Sequence, residues 1–164
     1  MSFKKVRIKG NIYKNKRYWY HVSTTLKNKH ELLVPWENDK GFNRSDTEPE
    51  GKRICVAPSI EQCITAIPYH LGAICSIYRT KSQVKAKKAK NVFDRKITQE
   101  GWIQKPTNFI KIGILKFEDV EKGLGIDSVI DEAASSFGEV SLSESRNVLK
   151  WWKKAKINRF IKKA

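Results

Sequence analysis

The residues with the plainest chemistry lie near the end of the chain, where an indole ring is set among basic side chains. They are Lys150, Trp151, Lys153, Lys154, Lys162 and Lys163. Ammonium groups bind phosphate oxygens, and an indole ring stacks on a nucleobase. If Trp152 packs against the core, Trp151 lies about 100° around the helix and is free to stack. The pattern predicts contact with a nucleic acid.

The charge of the chain is strongly basic and unevenly distributed. The sequence has 33 Lys and Arg residues against 17 Asp and Glu residues, a formal net charge of +16. No acidic residue precedes Glu31 and none follows Glu144, whereas 118–144 contains one base, Lys122. This asymmetry indicates a polyanionic partner, DNA or RNA first and an acidic protein or membrane surface after. A lysine content raised by an AT-rich genome is the alternative explanation.

Several functional classes are excluded by composition. The cysteines Cys55, Cys63 and Cys75 lie in apolar surroundings and form no Cys-x-x-Cys pair. Their odd number favours a reducing cytoplasm over a disulfide framework. No Cys/His cluster has the spacing of zinc ligands, so we expect no metal site. No apolar run approaches the roughly 20 residues of a membrane span, and no signal peptide is apparent. We therefore expect a cytoplasmic protein without a membrane span.

The order of the predicted elements is that of an α+β fold. At its centre a short apolar strand at 54–56 ends before Pro58. Ser59 and Gln62 then have the spacing of a capping box, which starts a helix. Further strands are predicted at about 18–23, 31–34, 73–79 and 108–117. We expect the strand–helix–strand unit around the central helix to be the nucleus of the fold.

The remaining segments are assigned more coarsely. The sequence predicts a hairpin or meander at 3–23 and a long loop at 36–52. It predicts a solvated loop or a short helix with a lysine face at 81–90, and an acidic helix-prone region around 127–136. A basic helix capped by Ser143 is predicted at 143–164. We expect one domain over 1–164. Its core covers about 1–117, and a helical C-terminal extension covers about 118–164.

The order of several short motifs resembles that of small NAD-dependent ADP-ribosyltransferases, in particular the rifamycin-modifying group. These motifs are Tyr20-His21-Val22-Ser23, Glu31-Leu32-Leu33-Val34-Pro35, the strand and helix around Ser59, then Cys75 to Arg79, Ile97 to Trp102 and Phe109 to Gly113. The resemblance covers about residues 18–117. It implies a mixed β core with one central helix, NAD as the cofactor, and transfer of ADP-ribose to a macromolecular target, possibly a nucleic acid or a protein associated with one.

The resemblance also implies roles for individual residues. His21 matches the family histidine that hydrogen-bonds the nicotinamide ribose, and Ser23 matches the small hydroxyl position after it. Glu100 is the candidate for the catalytic carboxylate, with Asp94 as the competing choice. A fixed anion beside the ribose stabilises the positive charge that develops in the transition state.

Further cofactor-binding candidates are Tyr20, Trp36, Arg44 and Ser59. Arg44 and Arg53 either bind the phosphates of NAD, because a guanidinium group suits bidentate contact, or are solvated loop charges.

Two departures from the family pattern favour an alternative function. Val22 stands where the family has glycine, and residues 54–57 offer no aromatic ring to stack on nicotinamide. Tyr20, Trp36 and Tyr69 are the rings available instead. The alternative is a non-catalytic basic module that binds nucleic acid or a protein through its two basic ends. An effector of a phage or mobile element, acting on a host factor by binding, belongs to the same class.

Overall fold

The structure, a computed structural model, describes residues 12–37, 51–66, 74–92, 95–129 and 142–164. Arg44, Tyr69 and Asp94, most of the predicted loop at 36–52 and most of the acidic region around 127–136 lie outside these ranges. The described residues form helices and antiparallel sheets, so the predicted α+β class is confirmed.

The described strands are, in chain order, β1 (Tyr20–Ser23), β2 (His30–Leu33), β3 (Ile54–Val56), β4 (Ile74–Thr80), β5 (Lys87–Lys88), β6 (Gly101–Ile103), β7 (Thr107–Lys116) and β8 (Lys162–Lys163). The described helices are α1 (Ile60–Ala66), α2 (Arg95–Thr98), α3 (Phe117–Leu124) and α4 (Leu142–Lys154), followed by a 3-10 helix, Ile157–Phe160. Among them, no helix has the length and apolarity needed to cross a membrane.

These strands form two sheets. The larger has the order β1-β4-β7-β2, with β8 paired to the second half of β7, and the smaller has the order β3-β6-β5. The central strands β4 and β7 are long and apolar, as the sequence predicts. The strand–helix–strand unit is divided, because β3 and β4 flank α1 but belong to different sheets.

Strand β3 ties the two sheets together. On the edge that does not pair with β6, Ala57 forms an antiparallel bridge with Tyr20 of β1, and Arg53 forms one with Trp36, just after β2. β1 and β2 are the two outer strands of the larger sheet. Both of its edges are therefore connected to the same strand, so the sheet curls around the space between them.

Two apolar clusters lie on opposite faces of the larger sheet. One, the helix-side cluster, lies under the helices and includes Val22, Ile77 and Leu115 from the strands, Ile64 from α1, and Val148 and Trp152 from α4. The other, against the smaller sheet, includes Trp19, Ile54, Tyr78, Ile103 and Phe109. Because β4 contributes Ile77 to the first and Tyr78 to the second, it is buried on both faces.

A β-bulge allows β7 to contribute side chains to both clusters. Ile77 pairs with Gly113 and Tyr78 pairs with Lys111, so Ile112 is an extra residue on β7. An unbroken strand would point Phe109 and Leu115 to the same face, since they are six residues apart. The extra residue reverses this, and the two side chains reach different clusters.

The C-terminal region differs from the single helix that the sequence predicts at 143–164. α4 begins at Leu142, one residue before the predicted cap, and ends at Lys154. A turn and the 3-10 helix follow, and the chain then pairs with β7 as β8. Gly113 permits this pairing, because a Cβ there would overlap Ile161 and lie 2.7 Å from the carbonyl oxygen of Lys162.

Two other segments were assigned only coarsely. Of the loop and the short helix expected at 81–90, the helix does not form; the segment is extended, with a bridge at Val84 followed by β5. The helix expected around 127–136 lies mostly outside the described residues, and α3, just before it, was not predicted. α3 ends at Gly125, which adopts the left-handed conformation (φ 66°) that glycine tolerates best.

The predicted cap of α1 is confirmed. The hydroxyl oxygen of Ser59 accepts a hydrogen bond from the backbone N–H of Gln62 at 3.1 Å and donates to Gln62 Oε1 at 2.9 Å. The same Gln62 side chain donates from Nε2 to the carbonyl of Ile97 at 3.0 Å, which links α1 to α2.

We predict that Ser59→Ala lowers the free energy of unfolding by about 1 kcal/mol, because a helix-terminal N–H loses its partner. Ser59→Thr keeps both the acceptor for the backbone N–H and the hydroxyl donor to Gln62 Oε1, and it should remain close to the wild type. Urea denaturation of the three proteins measures both effects. An equal loss in the alanine and threonine variants would contradict the capping role.

Candidate functional site

His21 completes the edge of β3 that does not pair with β6. That edge carries the bridges from Tyr20 and Trp36 at its two ends, and the carbonyl of Cys55 lies between them. His21 Nδ1 is 3.0 Å from this carbonyl oxygen. Because a carbonyl oxygen only accepts hydrogen bonds, Nδ1 carries the proton and donates.

The surroundings of His21 keep its ring neutral. The ring centroid lies 5.7 Å from that of Trp36 and 6.1 Å from that of Phe109, both in edge-on arrangements. Burial lowers the pKa of His21 below its ordinary 6.5, and the hydrogen bond to Cys55 opposes this shift only in part. At pH 7 the ring is therefore neutral with the proton on Nδ1, and Nε2 is a hydrogen-bond acceptor.

The other candidates on β1 hold local structure. The backbone of Tyr20 exchanges hydrogen bonds with Ala57 at 2.8 and 3.1 Å. The hydroxyl oxygen of Ser23 accepts from the backbone N–H groups of Thr25 and Leu26 at 3.1 and 3.0 Å. This is the side-chain turn typical of serine at the end of a strand. The hydroxyl groups predicted to bind the cofactor, Ser23 and the helix cap Ser59, are thus both engaged by backbone.

The two further described candidates lie at the same end of β3. Trp36 is 37% exposed, and its ring leans against His21. Arg53 is fully buried, with its guanidinium carbon 4.0 Å from the centroid of the Trp102 ring. Arg53 is therefore neither a solvated loop charge nor exposed to bind phosphate, and the expectation for this residue is wrong. Arg44 lies outside the described residues.

Glu100 lies immediately before β6. Its Oε1 accepts a hydrogen bond from Trp102 Nε1 at 3.0 Å, and its backbone carbonyl accepts from the Tyr13 hydroxyl at 3.1 Å. β6 pairs with one edge of β3, whereas His21 bonds to the opposite edge. His21 and Glu100 are thus attached at different edges of β3, and the catalytic roles expected for them stay predictions. The competing carboxylate, Asp94, is outside the described ranges.

Cys63 and Cys75 offer no nucleophile. Burial raises the pKa of Cys63 and of Cys75 to about 12, so both remain thiols at neutral pH. Cys63 donates a long sulfur hydrogen bond of 3.6 Å to the carbonyl of Tyr20. Both residues act as small apolar side chains of the helix-side cluster.

The basic residues of α4 occupy its outward face. They are Arg146, Lys150, Lys153 and Lys154, all exposed. This spacing of four, seven and eight residues from the first gives one continuous stripe on a helix. The opposite face buries Val148 and Trp152, as the sequence predicts.

Trp151 is not the free stacking ring that the sequence predicts. Its side chain is half-buried against the helix-side cluster, and its ring centroid lies 4.7 Å from that of Trp152 in an edge-on contact. A step of 100° around α4 is too small to carry so large a ring away from the core. Trp152 is buried and stacks on Phe117 at 6.5 Å.

Lys162 and Lys163 lie on β8 rather than on the predicted helix. Both are exposed. Lys162 Nζ is 3.4 Å from Asp119 Oδ2, an ion pair that partly offsets its charge. Of the basic residues predicted to bind nucleic acid, the three lysines of α4 form one surface, with the lysines of β8 beyond the end of the helix.

A second basic surface was missed by the sequence analysis. Residues 12–18 run antiparallel to 81–88, with bridges between Ile12 and Lys87 and between Arg17 and Val84. We call these two segments the basic ribbon; its cations are Lys14, Lys16, Arg17, Lys81, Lys85, Lys87 and Lys88. Neither segment contains Asp or Glu, which is a signal present in the sequence. Their pairing is not, because it joins residues about 70 positions apart.

Comparisons with known proteins identify no relative. No protein-family model matches the chain, and no curated protein or solved structure matches it significantly. The similarity to ADP-ribosyltransferases and the NAD site derived from it therefore remain predictions from sequence.

We predict that acid weakens the fold through His21. Its pKa is lower in the folded protein than in the unfolded chain, so below about pH 6.5 the unfolded chain takes up a proton first and stability falls. His21→Asn places an amide N–H near the position of Nδ1 and does not titrate. Thermal melts between pH 7.5 and 5.5 should show a smaller loss for His21→Asn than for the wild type. Parallel losses would remove His21 as the cause.

Proposed function

We propose that this protein binds DNA or RNA through the basic face of α4 and the basic residues that follow it. The observation that carries the proposal is that the part of the chain that the structure describes supplies no acidic partner to the cations of this face. Arg146, Lys150, Lys153 and Lys154 make no ion pair with any described residue. No acidic residue follows Glu144 in the sequence.

The neighbouring helix α3 shows how this chain neutralises a solvated face. There, Lys122 Nζ lies 2.8 Å from Glu118 Oε1, one turn away. This pairing lowers the pKa of Glu118 and raises the pKa of Lys122. For the cations of α4, no position three or four residues away carries an acidic side chain. The positive potential of this face is therefore available to a polyanion.

The basic face is also held rigidly. Val148, Trp152 and Ile157 are buried in the helix-side cluster. Just beyond α4, Asn158 Nδ2 donates to Glu61 Oε1 of α1 at 2.9 Å. The cations thus project from a fixed helix, and binding orders their side chains without having to order the backbone as well.

Nucleic-acid binding is favoured over the NAD-dependent transferase by the contacts of the predicted site residues. The cofactor hypothesis needs the hydroxyl groups of Ser23 and Ser59 and the carboxylate of Glu100. Each of them has a partner in the fold: a turn, a helix cap and the indole N–H of Trp102. The cations of α4 have none among the described residues.

We predict that binding to DNA or RNA falls steeply with salt and that Lys150, Lys153 and Lys154→Gln flattens this dependence. Each phosphate contact contributes about −0.7 to −0.9 to the slope of log K against log salt, so three lost contacts change the slope by about 2 to 3. Fluorescence anisotropy between about 50 and 200 mM salt measures it. The melting temperature should hardly change, because all three side chains are exposed.

A matched control removes the same charge from dispersed sites. Lys52, Lys96 and Lys122 are exposed and lie before β3, on α2 and on α3. Their replacement by glutamine should reduce the slope far less than the α4 triple substitution. If both triple variants lose the same affinity, net charge rather than the α4 face explains binding. If the wild type binds neither DNA nor RNA at about 50 mM salt, the proposed function is wrong.

The NAD hypothesis has an independent test. If His21 binds NAD, millimolar NAD should raise the melting temperature of the wild type by mass action. His21→Asn keeps a donor for Cys55 but lacks Nε2, so its melting temperature should not respond. Calorimetric melts of both proteins with and without NAD measure this. An unchanged wild-type melting temperature removes NAD as a ligand.

A further inference from the structure

A groove beside the basic ribbon combines an apolar floor with a basic rim. The floor is formed by the exposed side chain of Ile12 over Ala86, Trp102 and Ile103, which are at most 2% exposed. The rim carries Lys85, Lys87 and Lys105, and none of the described residues that line the groove is a carboxylate. Ile12 is 52% exposed, an unusual position for isoleucine that leaves part of the floor open to solvent.

The backbone pairing of the ribbon fixes the position of this rim. The backbone N–H of Tyr13 donates to the carbonyl of Ala86 at 2.9 Å, and Arg17 and Val84 exchange hydrogen bonds at 3.1 and 3.0 Å. Lys85 lies between these two points of pairing. The groove is therefore built on an ordered two-stranded ribbon, anchored to the sheet by β5 and β6.

Aromatic rings hold other cations of the ribbon in place. The guanidinium carbon of Arg17 lies 5.7 Å from the Tyr13 ring centroid and 5.4 Å from that of Trp19. Lys88 Nζ is 5.6 Å from the same Tyr13 ring. Nearby, Arg79 stacks on Tyr18 at 4.2 Å, and Tyr18 is 38% exposed. Cation–π contacts restrict these side chains without neutralising their charge.

We propose that this groove binds a single strand of nucleic acid, with bases against the apolar floor and phosphates against the lysine rim. The inference extends the proposed function, since the partner is the same class of molecule. A duplex presents mainly phosphates at its surface, and its bases are stacked and paired inside. The bases of a duplex therefore cannot contact the apolar floor. A single strand presents both phosphates and bases, and proteins that bind one combine a basic groove with apolar or aromatic contacts to the bases.

The groove and the α4 face are separate surfaces. The first residue of β4 pairs with Lys116, the residue just before α3. This end of β4 is therefore near Phe117, on whose ring Trp152 of α4 stacks. The other end of β4 leads into the ribbon. Seven residues of strand span about 20 Å. Substitutions in the groove therefore leave the α4 face unchanged, and the two contributions can be measured independently.

The test compares two groove variants with the α4 triple variant. One groove variant is Lys85 and Lys105→Gln, and the other is Ile12→Ser; all three positions are exposed. The probes are a labelled thymidine oligonucleotide and a labelled duplex, each of about 20 units, measured by anisotropy at about 50 mM salt. A third probe is an abasic oligonucleotide of the same length. Melting curves verify that each variant is folded.

We expect Lys85 and Lys105→Gln to weaken binding of the thymidine strand about tenfold and that of the duplex less than about twofold, through loss of about two phosphate contacts. Ile12→Ser should weaken the thymidine strand several-fold and leave the abasic strand and the duplex unchanged. The inference is overturned if both groove variants bind the thymidine strand as the wild type does. Equal losses for single strand and duplex overturn it as well.

The remaining outcomes separate this inference from the proposed function. If the α4 triple variant keeps wild-type affinity for every probe, the proposed function fails, whatever the groove variants do. If the α4 variant loses affinity and the groove variants do not, only the groove inference fails. Polyglutamate is the last competitor. If it displaces the thymidine strand as well as an equal charge of unlabelled strand does, the floor makes no contact with bases, and the groove is a site for acidic protein instead.

Discussion

The fold depends on the edge of β3 that no continuous strand covers. A buried carbonyl without a partner costs free energy comparable to a lost hydrogen bond, and the carbonyl of Cys55 lies between two isolated bridges on that edge. The imidazole of His21 satisfies it. With this edge closed, both outer strands of the larger sheet are joined to β3, and the side chains of Trp19, Tyr78 and Phe109 are enclosed. The residue that most suggests catalysis is thus required by the architecture.

The smaller sheet covers one face of the larger sheet, and this determines what can pack on the opposite face. Once the smaller sheet covers one face near Tyr78 and Phe109, the other face is left for the helices, and β4 must be apolar on both faces. β7 meets the same demand through the extra residue at Ile112, which turns Leu115 towards the helices. α4 is packed against that second face through Trp152. Its cations therefore point outward as a consequence of how the sheet closes.

The sequence predicts the features that depend on neighbouring residues. The strand before Pro58, the cap formed by Ser59 and Gln62, and the long apolar β7 all follow from local patterns, and they occur as expected. The features that the sequence does not predict depend on pairing between residues that are far apart in the chain. The bond from His21 to Cys55 spans 34 positions, and no local pattern indicates it. Nor does helical periodicity reveal that Trp151, though off the core face of α4, remains half-buried against Trp152.

The distribution of charge argues against a purely compositional origin of the lysines. A raised lysine content alone would place lysines near acidic residues as often as elsewhere, as with Lys122 and Glu118 on α3. Instead the cations gather on two surfaces at opposite ends of β4, the outward face of α4 and the basic ribbon. Like charges held together repel one another and reduce the stability of the free protein. A polyanion removes that repulsion and releases counterions as it binds, so the groups that destabilise the free protein supply the free energy of association.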